Sequence, residues 1–250
     1  MDNILTVDNL CVSYRNNNNI FSGKSTEKTV LKNVSFSVGE GEIVGLCGES
    51  GSGKTTIAKA VLGMIKHKSG TIEMKDKCPQ MIFQDPFGSL NPAKTVGWII
   101  EEPLRLLTDY AADRRKEMVY EMLDSVELDA NVYSRKPFEL SGGQRQRVCI
   151  AASLICSPKL LIADEPVSAL DVTIQKQIIE LMKRLNREKK FSMLFISHDL
   201  KTMYNICDRI LVLYKGEIVE SGKPYDLYNS PKHPYTCKLL EGIGYKGKNC

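Results

Sequence analysis

A glycine-rich octapeptide between an apolar run and a helical pattern restricts this chain to a small group of folds. The run Ile43–Cys47 has the length and composition of a buried strand, and residues 56–65 repeat apolar side chains at helical spacing. Between them lies a complete G-x-x-x-x-G-K-[ST] pattern. Such a loop, at the end of a strand and the start of a helix, is typical of nucleotide-binding α/β domains. A purely structural glycine-rich turn is the alternative, which the strand-to-helix placement disfavours.

Each residue type in this loop has a physical reason to bind phosphate. Glycines let successive backbone N–H groups surround a phosphate, and the helix N-terminus adds a partial positive charge. Lys54 is expected to neutralise the β and γ oxygens of a nucleoside triphosphate, and the Thr55 hydroxyl is expected to bind Mg²⁺. The residues predicted to bind the nucleoside triphosphate in this segment are Gly48, Glu49, Ser50, Gly51, Ser52, Gly53, Lys54, Thr55 and Thr56.

Two carboxylates follow a second apolar run. Residues 160–163 have the composition of a strand, and Asp164 and Glu165 come directly after them. Ligands of parallel sheets bind at the carboxyl ends of the strands, so both acids are predicted to lie beside the phosphate loop. Asp164 would hold Mg²⁺ and Glu165 would polarise an attacking water. A solvated acidic turn is the alternative.

The remaining apolar pattern predicts an interrupted α/β domain. Residues 160–163 and 193–196 are runs of strand length, and residues 174–185 between them repeat apolar side chains at helical spacing. That alternation is typical of parallel strands joined by a crossover helix, as in a doubly wound sheet.

The middle and the beginning of the chain follow other patterns. Residues 88–157 are predicted to form a mainly helical insertion, with a helix at residues 97–107, Pro103 at a helix start, and an apolar helix face at residues 119–126. Short β-like runs near the beginning surround a polar loop, residues 16–28, whose four consecutive asparagines favour a flexible tip.

Composition excludes several classes of protein. A chain of 250 residues with 42% hydrophobic and 26% charged residues is ordinary for a globular protein, and it is neither disordered nor embedded in a membrane. No apolar stretch is long enough to span a bilayer, and the first residues do not resemble a signal peptide. The net charge of +4 is modest, and no nucleic-acid partner is expected. The basic residues are scattered, apart from a run at helical spacing that is interpreted as a solvated helix face and not as a nucleic-acid surface: Lys183, Arg184, Arg187, Lys189 and Lys190. The eight cysteines show no C-x-x-C spacing, and most are interpreted as small core residues of a reduced cytosol.

The run L-S-G-G-Q-R-Q at residues 140–146 resembles the signature of ABC ATPases. Ser141 and Gln144 form the pattern of a capping box that opens a helix, and the glycines leave an anion site without a lysine of its own. In ABC proteins this segment contacts the γ-phosphate bound by the other subunit. The resemblance therefore implies a head-to-tail dimer with two ATP molecules at the interface, each touched by Ser141, Gly142, Gly143 and Gln144.

Smaller features are similar to ABC proteins too. Gln84 matches the glutamine that reaches the metal and the attacking water, Asp171 the D-loop aspartate and a helix N-cap, and His198 the switch histidine on the γ-phosphate. Tyr14 matches the aromatic residue that stacks on adenine.

The family resemblance implies a particular architecture for the single domain. It is a P-loop NTPase ABC cassette with a RecA-like core, an N-terminal antiparallel β subdomain and an inserted helical subdomain. The core is expected at about residues 1–87 and 158–250, and the helical subdomain at about residues 88–157.

Two short runs resemble the peptide and nickel importer branch of the family, namely F-Q-D-P-F-G-S-L-N-P at residues 83–92 and H-P-Y-T at residues 233–236. This resemblance implies a second ATPase subunit, identical or related, two membrane permease subunits and an extracytoplasmic substrate-binding protein. The chain would then lie at the cytoplasmic face of the membrane, with Phe87 and Trp98 flanking the surface that receives a coupling helix.

The sequence leaves two alternatives for the transported substrate. The segment at residues 70–81 is shorter than in typical peptide importers, and the tail after Leu240 is brief and lacks clustered cysteines, as in smaller subunits of nickel or metallophore systems. Nickel or a metal chelate and short peptides are both compatible with the sequence. An iron–sulfur site is not expected.

Two other functions compete with an importer motor. Soluble ABC ATPases of translation usually carry two cassettes, and those of DNA repair carry long coiled coils; this sequence shows neither. A regulatory cassette without hydrolysis would be expected to lack Glu165 or His198, and both residues are present.

Overall fold

The computed structural model describes residues 2–16 and 26–245. Its strands are β1 (Asn3–Asn16), β2 (Thr26–Gly39), β3 (Ile43–Cys47), β4 (Ser69–Met74), β5 (Gln80–Ile82), β6 (Leu160–Asp164), β7 (Ser192–Ser197), β8 (Arg209–Tyr214) and β9 (Glu217–Gly222). Its helices are α1 (Lys54–Val61), α2 (Pro86–Ser89), α3 (Val96–Leu107), α4 (Ala112–Ser125), α5 (Gly142–Leu154), α6 (Val172–Lys189), α7 (Leu200–Ile206), α8 (Pro224–Asn229) and α9 (Pro234–Gly242). Short 3₁₀ turns occupy Ala130–Ser134 and Pro137–Glu139.

The chain divides into two compact units, one of residues 1–77 and 194–250 and the other of residues 78–193. The first unit contains an antiparallel sheet in the order β2, β1, β4. Val7 of β1 lies opposite Phe36 of β2 and Ile72 of β4, and alternate side chains of β1 and β2 are buried. The β-like runs predicted near the beginning are therefore parts of two long strands. The interior of the predicted polar tip, residues 17–25, lies outside the described residues.

A mixed sheet in the same unit supports the phosphate loop. Strand β3 pairs in parallel with β8, which pairs antiparallel with β9. Every residue of β3 is buried, as its apolar composition predicts. Helix α1 ends at Val61, and Gly63 adopts a φ of 68° just beyond. The prediction that this helix extends to residue 65 is therefore wrong, because a left-handed glycine ends it and leaves Met64 exposed.

The second unit combines two parallel strands with the helical segment. Strand β5 pairs with β6, with Met81 opposite Ile162. Val119, Met122 and Leu123 of α4 are buried, as their helical spacing predicts. Helix α3 begins at Val96 because the Thr95 hydroxyl accepts a hydrogen bond from the Trp98 N–H. Pro103 lies inside this helix, so its prediction at a helix start is wrong.

Burial of the cysteines differs from the prediction. Cys47, Cys149 and Cys207 are buried, whereas the other four described cysteines are half-buried, and none of the seven forms a disulfide within the described chain. Cys250 lies outside the described residues. Within residues 2–16 and 26–245, no helix is both long enough and apolar enough to span a membrane.

Candidate functional site

The phosphate loop connects β3 to α1 and is closed around the side chain of Lys54. The Lys54 ammonium is buried and donates to the carbonyl oxygens of Gly48 at 2.8 Å and Glu49 at 3.0 Å. The N–H of Ser52 donates to the same Glu49 carbonyl at 3.2 Å. The loop backbone therefore binds the Lys54 ammonium, which can neutralise an anion bound at the N-terminus of α1.

Glycine is required at two points of the loop for different reasons. A Cβ at Gly48 would overlap the carbonyl oxygen of Leu213 at the end of β8. Gly53 has a φ of 113°, and a Cβ there would also come within 2.6 Å of the side chain of Leu31. The pattern recognised in the sequence is therefore a consequence of close backbone packing.

The loop has the chemistry of a polyphosphate site. The Ser52 hydroxyl is buried and has no hydrogen-bond partner within the described chain. The first turn of α1 contains no acidic residue, so nothing there opposes a bound anion. Burial raises the pKa of the Cys47 thiol to about 12, although Lys54 lowers it in part, so this side chain stays neutral beside the loop. The buried Lys54 ammonium, the unpaired Ser52 hydroxyl and a helix N-terminus without a side-chain cap all suit the binding of a phosphate chain.

The two predicted acids lie at the end of β6 in the second unit. Asp164 is buried, and Glu165, just beyond the end of β6, has a φ of 47° in the left-handed region. Such a conformation is uncommon for a residue other than glycine and often occurs at functional sites. The Glu165 carbonyl is held by Ser168, whose N–H and hydroxyl both donate to it.

Gln84 lies close to this turn. Its side-chain N–H donates to the Glu165 carboxylate at 3.3 Å, although the residues are far apart in the chain. Gln84, predicted to reach the metal and the attacking water, therefore contacts the predicted base Glu165 within one unit. A carboxylate oriented by an amide can accept a proton from a water molecule and hold that water in a fixed direction.

The glycine-rich run at residues 140–146 opens α5 as predicted. The Gln144 N–H donates to the Ser141 hydroxyl at 3.3 Å, and the Ser141 N–H donates to the Gln144 side chain at 3.0 Å. These two bonds form the predicted capping box. Gly142 and Gly143 face the following segment, where Cβ atoms would meet Leu170 at 3.4 Å and Ile174 at 2.8 Å.

Asp171 is the N-cap of α6, as predicted. Its carboxylate accepts hydrogen bonds from the N–H groups of Thr173 and Ile174 at 3.1 and 3.0 Å. The Ile174 side chain in turn packs against Gly143. The caps of α5 and α6 are therefore neighbours within the second unit.

The other predicted residues are divided between the two units, with His198 and Tyr14 in the first. His198 follows the end of β7 and is exposed, and Asp199 after it caps α7. Tyr14 of β1 is 43% exposed and lies opposite Lys28 of β2. Trp98, in the second unit, is half-buried between Lys94 and Arg105, whose charged groups lie 4.6 and 4.4 Å from its ring. The side chain of Phe87 lies outside the described part of the chain.

One residue beside the loop had no predicted role. The Tyr235 hydroxyl accepts a hydrogen bond from the Glu49 N–H at 2.9 Å. In the sequence, Tyr235 was noted only as part of the H-P-Y-T run that resembles the importer branch. No spacing rule connects it with residues so far away in the chain.

A phosphate loop on a buried strand, an acid pair at the end of another strand and a capped glycine helix define an ATP-binding cassette, the nucleotide-binding and ATP-hydrolysing class of P-loop proteins. The family profile described as ABC transporter matches residues 31–168. The chain belongs to the ABC transporter family.

Relatives with similar sequences carry names from peptide transport. The chain is 42% identical to the oligopeptide transport ATP-binding protein OppF of Haemophilus influenzae, over 96% of this chain and 78% of that protein. It is 40% identical to the OppF protein of Lactococcus lactis subsp. lactis, over 97% of this chain and 81% of that protein. A putative peptide import ATP-binding protein of Brucella ovis is 44% identical over 89% of this chain and 75% of its own length.

Solved structures confirm the predicted fold class. The dimeric structure of a post-hydrolysis state of the ATP-binding cassette MJ0796, bound to ADP and Pi, has a TM-score of 0.76 and 28% identity. It covers 88% of this chain and 98% of its own. A second dimeric MJ0796 structure, described as a bacterial ABC transporter cassette, has a TM-score of 0.75.

Proposed function

We propose that this chain is the ATP-hydrolysing subunit of a membrane importer for short peptides. The observation that supports this cargo is the identity of 40–44%, over most of the chain, to proteins named for oligopeptide transport or peptide import. The alternative left by the sequence, nickel or a metal chelate, has no such support among these relatives.

The phosphate loop would bind the triphosphate through Lys54 and the backbone N–H groups between Gly48 and Thr56. In the structure Lys54 holds two loop carbonyls, so a bound phosphate chain would compete with them for the ammonium. The Ser52 hydroxyl would gain a phosphate oxygen as partner. Tyr14, exposed on β1, would stack on the adenine ring.

Hydrolysis would depend on Glu165 as the general base. It follows the last residue of β6 in a left-handed conformation, and the hydrogen bond from Gln84 limits the rotation of its carboxylate. Asp164, Thr55 and Gln84 would hold Mg²⁺, since oxygen ligands suit this ion and proteins bind it through few carboxylates together with substrate phosphates. When bound, the ion would neutralise charge that develops on the phosphate oxygens. His198 would contact the γ-phosphate.

The caps of α5 and α6 would act on a partner's nucleotide. Gly142 and Gly143 offer backbone N–H groups at a helix N-terminus without a competing lysine, Ser141 and Gln144 cap that terminus, and Asp171 is adjacent. We infer a head-to-tail dimer with an identical or related cassette, two permease subunits and an extracytoplasmic binding protein. The chain would then lie at the cytoplasmic face of the membrane, with residues 88–157 as the helical subdomain that meets the permeases and Trp98 on the receiving surface.

Transport measurements test this proposal. Deletion of the gene should abolish uptake of radiolabelled short peptides and leave nickel uptake unchanged, and the affinity-tagged chain should co-purify with two membrane subunits. Complementation with the wild type should restore uptake, whereas Glu165→Gln should not. Glu180→Gln is the matched control, because this glutamate is exposed on α6. Loss of nickel uptake with intact peptide uptake would refute the peptide cargo. Co-purification with ribosomes or DNA instead of membrane subunits would refute the importer.

A further inference from the structure

We propose that Tyr235 is a positioning residue for the phosphate loop, and that it sets nucleotide affinity from outside the loop. The Tyr235 hydroxyl accepts the hydrogen bond from the Glu49 N–H at 2.9 Å, at the first peptide unit of the loop. This inference rests on the role proposed above for the loop. It assigns to residues 233–236 a function in ATP binding.

Peptide planarity carries the effect of this hydrogen bond to Lys54. The Glu49 N–H and the Gly48 carbonyl belong to one peptide unit, which is rigid and planar. The Gly48 carbonyl accepts the 2.8 Å hydrogen bond from the Lys54 ammonium. The N–H and the carbonyl point in opposite directions within this plane. Fixing the N–H therefore also fixes the carbonyl that accepts from Lys54.

The Tyr235 ring is itself firmly placed. It is 5% exposed and stacks on Tyr214, the last residue of β8, with ring centroids 4.1 Å apart and an interplanar angle of 27°. The preceding residue, Leu213, packs its carbonyl oxygen against Gly48. The end of β8 thus supports the beginning of the loop twice, by direct contact and through Tyr235.

Glu220 of β9 anchors the segment that carries Tyr235. Its carboxylate accepts hydrogen bonds from the N–H groups of Lys232 and His233 at 2.8 and 3.0 Å, and from the Thr236 hydroxyl. The His233 ring nitrogen accepts from the Tyr235 N–H at 3.1 Å and caps α9. Hydrogen bonds to the residues before and after Tyr235, and to its own N–H, therefore fix its backbone.

The hydroxyl keeps its proton under physiological conditions. Burial raises the pKa of Tyr235 to about 12, although the Glu49 hydrogen bond lowers it in part. A neutral hydroxyl accepts from Glu49 without placing a negative charge beside the phosphate site.

The test is Tyr235→Phe, which keeps the ring stacking and removes the hydroxyl. A loop without this hydrogen bond is less often in its binding conformation, and the apparent Kd for the nucleotide rises in proportion. We expect the Kd of the purified full chain for Mg-ATP, measured by titration calorimetry, to rise about 3- to 10-fold. In the assembled transporter the KM for ATP should rise similarly, and kcat should stay within about twofold.

Two further variants keep the outcome interpretable. Tyr225→Phe, in an exposed ring on α8, is the matched control and should leave the Kd unchanged. Glu220→Gln should raise the Kd in the same direction, because it weakens the anchor without touching Tyr235. If Tyr235→Phe does not yield folded protein, the Glu220→Gln titration decides.

Separate results would reject the inference and the proposed function. A lowered melting temperature with unchanged Kd and KM in Tyr235→Phe would show a merely structural tyrosine and overturn the inference. An unchanged Kd in Glu220→Gln would overturn it too if Tyr235→Phe does not fold. Lys54→Ala should abolish Mg-ATP binding. Normal binding in that variant would overturn the loop assignment itself, whatever Tyr235→Phe does.

Discussion

Replacement of Ser52 by alanine is expected to change folding stability and nucleotide affinity in opposite directions. The Ser52 side chain is 8% exposed, and its hydroxyl finds no hydrogen-bond partner in the described chain. Burying a hydroxyl without a partner costs about 1–3 kcal/mol, and alanine removes that cost while keeping the Cβ. A small void where the oxygen was offsets part of the gain.

The magnitudes follow from these two contributions. The nucleotide-free Ser52→Ala protein should gain about 0.5–2 kcal/mol in free energy of unfolding, and each kcal/mol is worth roughly 2–4 °C in Tm for a chain of this size. In the nucleotide complex the same hydroxyl would donate to a charged phosphate oxygen. Losing that hydrogen bond costs about 1.5–3 kcal/mol, which raises the Kd for Mg-ATP by about 10-fold or more.

Two measurements on the same preparation of Ser52→Ala test this prediction. Urea unfolding without nucleotide gives the stability, and calorimetric titration with Mg-ATP gives the Kd. Ser221→Ala, on the exposed side of β9, is the control and should change neither quantity. A destabilised nucleotide-free Ser52→Ala protein would mean that the hydroxyl has a structural partner. An unchanged Kd would mean that it does not face phosphate, and either result refutes the reasoning.

Three further variants examine other parts of the site. Glu165→Gln should retain ATP binding and slow turnover by about 100-fold or more in a steady-state ATPase assay, since the amide cannot accept the proton; unchanged hydrolysis would mean that the base is another residue. Gly48→Ala should destabilise the fold by about 1–3 kcal/mol in urea and abolish ATP binding, because its Cβ would overlap the Leu213 carbonyl, and a stable variant that binds ATP would contradict this packing. The pKa of Glu127 is lowered, chiefly by a hydrogen bond from Arg147, so its ion pair stabilises the fold above the unfolded pKa and this contribution is lost as the pH falls through the lower folded pKa. Glu127→Gln should therefore cost less than about 1 kcal/mol at pH 7, because the carboxylate is half exposed, and the difference from wild type should shrink as the pH is lowered below 4.5; a constant difference would exclude the ionic explanation.

Local patterns in the sequence predicted those features that depend on neighbouring residues. The strand before the loop, the capping box of Ser141 and Gln144, and the Asp171 N-cap each involve side chains only a few positions apart. Spacing within one turn of helix or one strand is enough to specify them, and the structure confirms all three. The family resemblance singled out Gln84 as a site residue, but neither it nor the spacing predicted the hydrogen bond from Gln84 to Glu165.

The sequence did not predict two helix boundaries and one hydrogen bond between distant segments. Helix α1 stops where Gly63 becomes left-handed, although the apolar pattern continues beyond it. Pro103 is accommodated inside α3 because the Thr95 cap, and not the proline, determines where the helix begins. The hydrogen bond from Glu49 to Tyr235 depends on where the last helices return to β8, and no local signal encodes that position.

The absence of a side chain at Gly143 has a consequence for how a pair of cassettes would respond to ATP. Ile174 fills the space that a Cβ at position 143 would need, so the starts of α5 and α6 are in close contact. A push on the Ser141 cap from a partner's nucleotide would reach the Asp171 cap as a rigid displacement. Both caps would then engage that nucleotide in the same event, and we expect the Ser141 and Asp171 caps to close on it together and not in graded steps.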